Sequence, residues 1–151
     1  MRREPGRVMA LDLGGQRIGV ALSDALRVLA SPLTTVRAQP RAAAIAQISA
    51  LIASNEVAEL VIGLPLTLSG EVGPQAKLVQ EYVEELRRHI SIPIHMVDER
   101  LTSVEAERMM TEMGIKREQR RARIDEVAAS IILRDFLEAN RPPRRDDEWD
   151  L

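Results

Sequence analysis

Three acids, Asp12, Glu99 and Asp125, stand where carboxylates are seldom found. Asp12 interrupts the apolar run Val8-Met9-Ala10-Leu11-Asp12-Leu13. Glu99 comes one residue after the run Ile92–Val97, and Asp125 opens the apolar-patterned stretch from Ile124 to Leu137. A carboxylate at the end of a buried element is costly to desolvate unless something positive compensates it. Three such acids from distant segments suggest one shared cation site. Hard divalent ions, Mg²⁺ or Mn²⁺, prefer carboxylate and water oxygens. Two of them about 3.5–4 Å apart activate a water and stabilise a leaving oxygen, which is what phosphodiester hydrolysis requires. Each acid also has a plainer reading: Asp12 as a turn acid before Gly14-Gly15, Glu99 as half of a surface pair with Arg100, and Asp125 as a helix-start acid.

The rest of the composition excludes several other chemistries. The 151-residue chain has no cysteine, so disulfides, thiolate nucleophiles and cysteine-ligated zinc are ruled out. His89 and His95 do not have the spacing of a zinc pair. No secretory core or long apolar stretch is present, so a soluble, cytoplasmic protein without a membrane partner is expected. At 45% hydrophobic and 29% charged the chain is ordinary globular material. Aromatic residues make up 2%, too few for base-stacking platforms, so a nucleic acid would be gripped by its phosphates. The net charge of −2 conceals a basic segment, Lys116 to Arg123, with five basic residues and one acid. Lys116, Arg117, Arg120, Arg121 and Arg123 lie just before Asp125 and are expected to bind phosphate, together with Arg17 and Arg100. The alternative for this segment is a solvated charge run.

Hydropathy patterning supplies the elements that would carry these residues. Val8–Leu13 reads as a buried strand, Gly14-Gly15 as its turn, Arg17–Ser23 as a hairpin partner and Val28–Val36 as an edge-type strand. Arg41–Ser54 is a predicted helix, and Glu59–Leu64 a short strand ending in Gly63-Leu64-Pro65-Leu66. Pro74 starts a second helix with Ala76, Val79, Val83, Leu86 and Ile90 on one stripe. Ile92–Val97 is the fifth strand. A helix capped by Thr102 or Ser103 follows, with Ala106, Met109, Met110 and Met113 inside and Gly114 at its end. The last helix is predicted from about Asp125 to Asn140, after a basic loop. The order β-β-β-α-β-α-β-α-α implies a mixed sheet covered by helices, in one domain with a core over about 7–140 and flexible tails. Ligands gather at the C-terminal ends of parallel strands in such sheets. Asp12 and Glu99 would sit there, on strands that could be neighbours. Asp125, in its helix's first turn, would share an inward face with Ala129, Ile132 and Phe136 and gain from the helix dipole. Ala128 and Ala129 would let that helix come close.

The segments Asp12-Leu13-Gly14 with Ile18-Gly19-Val20-Ala21, Gly63-Leu64-Pro65-Leu66, Asp98-Glu99-Arg100-Leu101-Thr102-Ser103-Val104-Glu105-Ala106, and Ile124-Asp125 with Ala128-Ala129 resemble the YqgF/RuvX-type family. That family is described in terms of Holliday-junction resolution and pre-16S ribosomal RNA cleavage. The resemblance spans about residues 7 to 138, and its most specific stretch is Glu99–Ala106. Gly15, Thr67 and Leu68-Ser69-Gly70 depart from the usual Thr, Asn and Met-Asp-Gly. The resemblance implies an α/β, RNase H-like fold: a five-stranded mixed sheet, its first three strands antiparallel, with helices on both faces. It implies a metal-dependent nuclease in which Asp12, Glu99 and Asp125 match the acidic catalytic and metal-binding positions. Strand alternation sends the adjacent Asp98 to the opposite face.

Expected partners are therefore structured RNA, including pre-16S rRNA in the pre-ribosome, or branched DNA, with a monomer or homodimer both allowed. Two other classes compete. The Asp-x-Gly hairpin also resembles the phosphate-binding hairpins of actin-like ATPases, which use two such domains where this chain has room for one. A non-catalytic RNA-binding assembly or transcription factor is the third reading, and it gives the three acids no task.

Overall fold

The computed structural model describes residues 5–99, 102–114 and 117–141, with side chains described except at 102–105, 107 and 117–122. Arg100 and Lys116 lie outside the described residues, as do the side chains of Arg117, Arg120 and Arg121.

The first strand, β1 (Arg7–Leu13), sits at the middle of the sheet, which is why Val8, Met9, Ala10 and Leu11 are all fully buried. β2 (Arg17–Ser23) pairs with it antiparallel, and β3 (Ala30–Arg37) pairs antiparallel with β2. β4 (Val57–Leu64) lies parallel on the other side of β1, and β5 (Ile94–Asp98) parallel beyond β4. The order is β3-β2-β1-β4-β5, a five-stranded mixed sheet whose first three strands are antiparallel. β1 and β5 are thus not neighbours, contrary to the expectation from sequence; β4 separates them.

The two faces of the sheet carry side chains of different size. Met9 and Leu11 of β1 join Ile18, Leu60 and Ile62 beneath α1 (Arg41–Ser54) and α2 (Pro74–His89). Val8 and Ala10 face the other way, with Ala21 and Val61, against Ala129, Ile132 and Leu133 of α4 (Arg117–Ala139). Small residues on this second face let α4 lie close to the strands. α3 (Thr102–Glu112) packs on the outer side of α4 through Ala106 and Met110 against Val127, Ala128 and Ile131. Only Ala129 of the alanine pair therefore faces the sheet; Ala128 faces α3. Met113, expected inside, is exposed.

Several boundaries shift for identifiable reasons. β3 begins at Ala30 rather than Val28 because Asp24 Oδ1 accepts the N–H groups of both Val28 and Leu29 at 2.8 Å, holding them in a turn. β5 begins at Ile94, since Pro93 has no N–H to give a ladder. α4 begins at Arg117, eight residues before the predicted start. Its first turns are polar and show no apolar stripe, yet Arg, Glu, Gln and Ala are good helix formers. The described part of the basic segment is therefore helix rather than loop, and Asp125 lies more than two turns inside it. The helix dipole, which fades within the first turn, does not account for that acid's position.

The end of the sheet away from the acids is held by an ion-pair network. Glu59 of β4 accepts from Arg27 at 2.5 Å and lies 2.9 Å from His95 Nε2 of β5. Arg27 also donates to the carbonyls of Gly6 and Pro5, and the His95 ring rests against Phe136 of α4 at 5.3 Å between centroids. Burial works against the Glu59 charge, but the hydrogen bonds from His95 and Arg27 outweigh it and hold the carboxyl below its usual range.

Candidate active site

Strand alternation aims the acids. Val8, Ala10 and Asp12 share one face of β1, so Asp12 projects toward α4 where that strand ends. Glu99 follows β5 by one residue and lies on the same face as Val97, which packs into the same cluster. Asp98 points the other way and is exposed, as alternation predicts. Because β4 stands between β1 and β5, Glu99 must reach across it, and it does so over Gly63. A Cβ at Gly63 would lie 2.6 Å from Glu99 Oε2 and 2.7 Å from Ile132 Cδ1. The missing side chain is the passage through which Glu99 hydrogen-bonds Asp12.

Asp125 is brought in by a second glycine. Gly19 of β2 is the register partner of Asp12. A Cβ there would lie 1.9 Å from the backbone oxygen of Asp125 and 2.8 Å from the nitrogen of Glu126. α4 thus rests backbone to backbone on β2 at the residue that carries the third acid. Glycine inside a strand often marks such a close approach. That signal was available in Ile18-Gly19-Val20 and Ile62-Gly63-Leu64, although periodicity alone does not say what approaches.

The electrostatics are those of like charges crowded together. Burial pushes Asp12 up to about 6; its hydrogen bond with Glu99 opposes the rise and the charge of Asp125 adds to it. Burial also drives Glu99 up to about 9, helped by the charge and hydrogen bond of Asp12 and by the charge of Asp98. Both carboxyls are thus raised together, and their hydrogen bond is made by a proton held between them. Asp125 Oδ2 accepts from Arg17 Nε at 3.0 Å, in a pair that is half open to solvent on the arginine side.

The donor chemistry suits a hard divalent cation. All the donors are carboxylate oxygens, and two of the half-buried carboxyls are pressed against each other with only a shared proton to relieve their repulsion. Among the described residues, however, no three such side chains stand in ready metal-ligating positions. Asp12 and Glu99 meet, while Asp125 is turned onto Arg17. Arg17, expected at the phosphates, is thus engaged with an acid. Arg123 is exposed and pairs with Glu126 at 3.5 Å, one turn away on the same helix. No helix among the described residues is long and apolar enough to cross a membrane.

The chain is similar to several known proteins. A protein of Roseiflexus sp. (strain RS-1) is 66% identical over 141 residues, covering 93% of this chain and all of that one. One from Chloroflexus aurantiacus is 51% identical over 142 residues, covering 93% of each chain. Both carry the name "Putative pre-16S rRNA nuclease". Among solved structures, Thermus thermophilus RuvC in complex with a Holliday junction substrate superposes with a TM-score of 0.55 at 13% identity, covering 88% of this chain and 94% of that one. The fowlpox virus resolvase bound to Holliday junction DNA gives 0.53 at 6% identity, covering 90% and 99%. At such identities the structural likeness establishes the RNase H-like fold alone. The sequence model of the family RuvX, described as Holliday junction resolvase, matches residues 6–139, and the chain belongs to that family.

Proposed function

We propose that this protein is a divalent-cation-dependent nuclease that hydrolyses phosphodiester bonds, with Asp12, Glu99 and Asp125 as its acidic set. Its substrates would be the 5′ end of pre-16S rRNA, branched DNA such as a Holliday junction, or both. The observation that carries the reading is the half-buried Asp12–Glu99 hydrogen bond, formed across Gly63 between the ends of two strands that are not neighbours. A fold gains nothing in stability from pressing two carboxyls together, so the pair is better explained by a cationic ligand than by structure.

Asp12 and Glu99 would hold Mg²⁺ or Mn²⁺, and Asp125 would join them by leaving Arg17. When bound, one or two such ions would supply Lewis acidity and an activated water. The acids would orient the ions, and Glu99 would give up its proton as they enter. Arg17, released from Asp125, would be free to face a phosphate. Arg117, Arg120 and Arg121 lie on the turns of α4 leading to Asp125, within about 12 Å along the helix axis, where they would steer the nucleic-acid backbone. Arg100, next to Glu99, and Lys116 complete that basic set.

The test is cleavage of a pre-16S rRNA fragment and a four-way DNA junction in parallel, with Mg²⁺ and with Mn²⁺. Wild type should cut at least one of them. Asp12→Asn, Glu99→Gln and Asp125→Asn should each lose at least about 10²-fold in rate. Wild type that cuts neither substrate, or variants that cut as well as wild type, would refute the proposal. Variants that keep their RNA affinity while nothing is cut by any form would identify a binding factor instead.

A further inference from the structure

The acids open onto more space than one phosphate needs. A cleft of about 640 Å³ runs from Asp12, Glu99 and Asp125 past the Gly14-Gly15 turn to the first turns of α2. That is within the range of roughly 300–1,000 Å³ for clefts that hold small organic ligands. Its far wall differs in character from the acidic end. Leu66, Leu78, Val79 and Tyr82 line it, and Leu78 is 60% exposed there. Gln39 and Gln75 contribute amides.

Arg41 and Tyr82 meet at this wall. Arg41, also on the lining, has its guanidinium 5.0 Å above the Tyr82 ring and paired with Glu85 at 2.9 Å. Arg41 is thereby held by two neighbours, and it is the one cationic side chain among the described lining residues. Tyr82 is only 8% exposed, and its hydroxyl has no hydrogen-bond partner among the described residues. A buried hydroxyl without a partner is a standing cost to the fold, and such groups are few in native proteins.

We infer that the α2 side of this cleft is a subsite for one unpaired nucleobase, that of a nucleotide flanking the phosphate held at the acids. This inference rests on the nuclease reading above. An exposed apolar wall and neutral amides match a flat, uncharged ring with hydrogen-bonding edges. Amides pair well with base edges, and single-stranded bases can be splayed into pockets that paired bases cannot enter. The subsite therefore selects substrates with a single-stranded nucleotide beside the cut. Leu78 and Val79 grip the ring, and Gln39 and Gln75 meet its edge.

The experiment titrates methyl-labelled whole protein with adenosine, with uridine and with inorganic phosphate, in EDTA so that cleavage plays no part. The nucleosides should shift the Leu78 and Val79 methyl resonances with a Kd of order 1 mM, and phosphate should leave them in place. Leu78→Glu, at an exposed position, should weaken nucleoside binding about tenfold or more. Gln39→Ala, on an exposed residue, should weaken it about 3- to 10-fold, the worth of one neutral hydrogen bond, without lowering the melting temperature. An amide with a purely structural role would give the opposite pattern. Gln75→Ala, on an exposed residue, gives a further independent reading. Nucleosides that leave the cleft methyls unmoved, or variants that bind like wild type, would overturn the subsite. If the protein cuts nucleic acid yet ignores nucleosides, only the subsite is lost. If it binds them here but cuts nothing, the nuclease reading fails by itself.

Discussion

Gly19→Ala puts one methyl group where α4 meets β2. The new Cβ would lie 1.9 Å from the Asp125 carbonyl oxygen and 2.2 Å from its carbon, whereas ordinary contact starts at 3.4 Å. One partner must retreat by the 1.5 Å difference. Both are backbone, in a helix and in the second strand of a five-stranded sheet, so neither has a soft side chain to turn aside. Overpacking of this kind costs about 1–3 kcal/mol. The helix that shifts carries Asp125, and a misplacement of about 1 Å can cost 10²-fold in rate. Gly19→Ala should therefore lose about 1–3 kcal/mol in urea unfolding followed by circular dichroism, and at least about 10²-fold in cleavage. Gly63→Ala is the informative comparison. The atoms nearest its Cβ would be the ends of the Glu99 and Ile132 side chains, at 2.6 and 2.7 Å. Those ends can turn away, so the fold should suffer less while Glu99 is pushed off Asp12 and cleavage falls as far. A Gly19→Ala protein with unchanged stability and unchanged cleavage would refute the claim that these two glycines assemble the acids.

Three further outcomes are expected. Glu99 is raised to about 9 in the folded chain against an ordinary 4.5, so its contribution to stability is full below the ordinary value and is lost as pH climbs through about 9. Metal-free wild type should lose stability across that window, and Glu99→Gln should flatten the slope and be the more stable protein at its alkaline end; parallel urea curves at every pH would contradict this. Binding of Mn²⁺ at neutral pH should release about one proton per protein, measured by calorimetry in buffers of different ionisation enthalpy; no release would mean that the ion does not enter between Asp12 and Glu99. The Arg17–Asp125 pair, with side chains 47% and 22% exposed, should couple by only about 0.2–1 kcal/mol in a double-mutant cycle. Arg17→Ala should bind Mn²⁺ at least as tightly as wild type, and a tenfold loss of affinity would show that Arg17 helps to build the site.

The acids were legible because each breaks a pattern. Asp12 stands inside an alternating apolar run, and the i, i+4, i+7, i+11 series from Asp125 to Phe136 forces that acid inward. The hairpin and the strong stripe of α2 were legible for the same reason: Arg17–Ser23 falls where the pattern puts it, and α2 starts at Pro74 as expected. The first two turns of α4 were not, since a helix segment that buries nothing leaves no hydrophobic period to detect. Neither was the insertion of β4 between β1 and β5, because strand order is decided by crossover connections rather than by any local run of residues. Tyr82 was hidden in the opposite way: in the α2 stripe it passes for one more core residue, and only its partnerless hydroxyl and its place on the cleft distinguish it.

The clamp of Arg27, Glu59 and His95 has a mechanical meaning. Opposite charges are clasped at one end of the sheet and like charges are gathered at the other, as in a clothes peg whose spring lies far from its jaws. Loosening the spring by losing Glu59 would leave every acid in the sequence intact and still let the jaws splay. Added salt would act on both ends at once, slackening the grip at the base while easing the strain at the mouth.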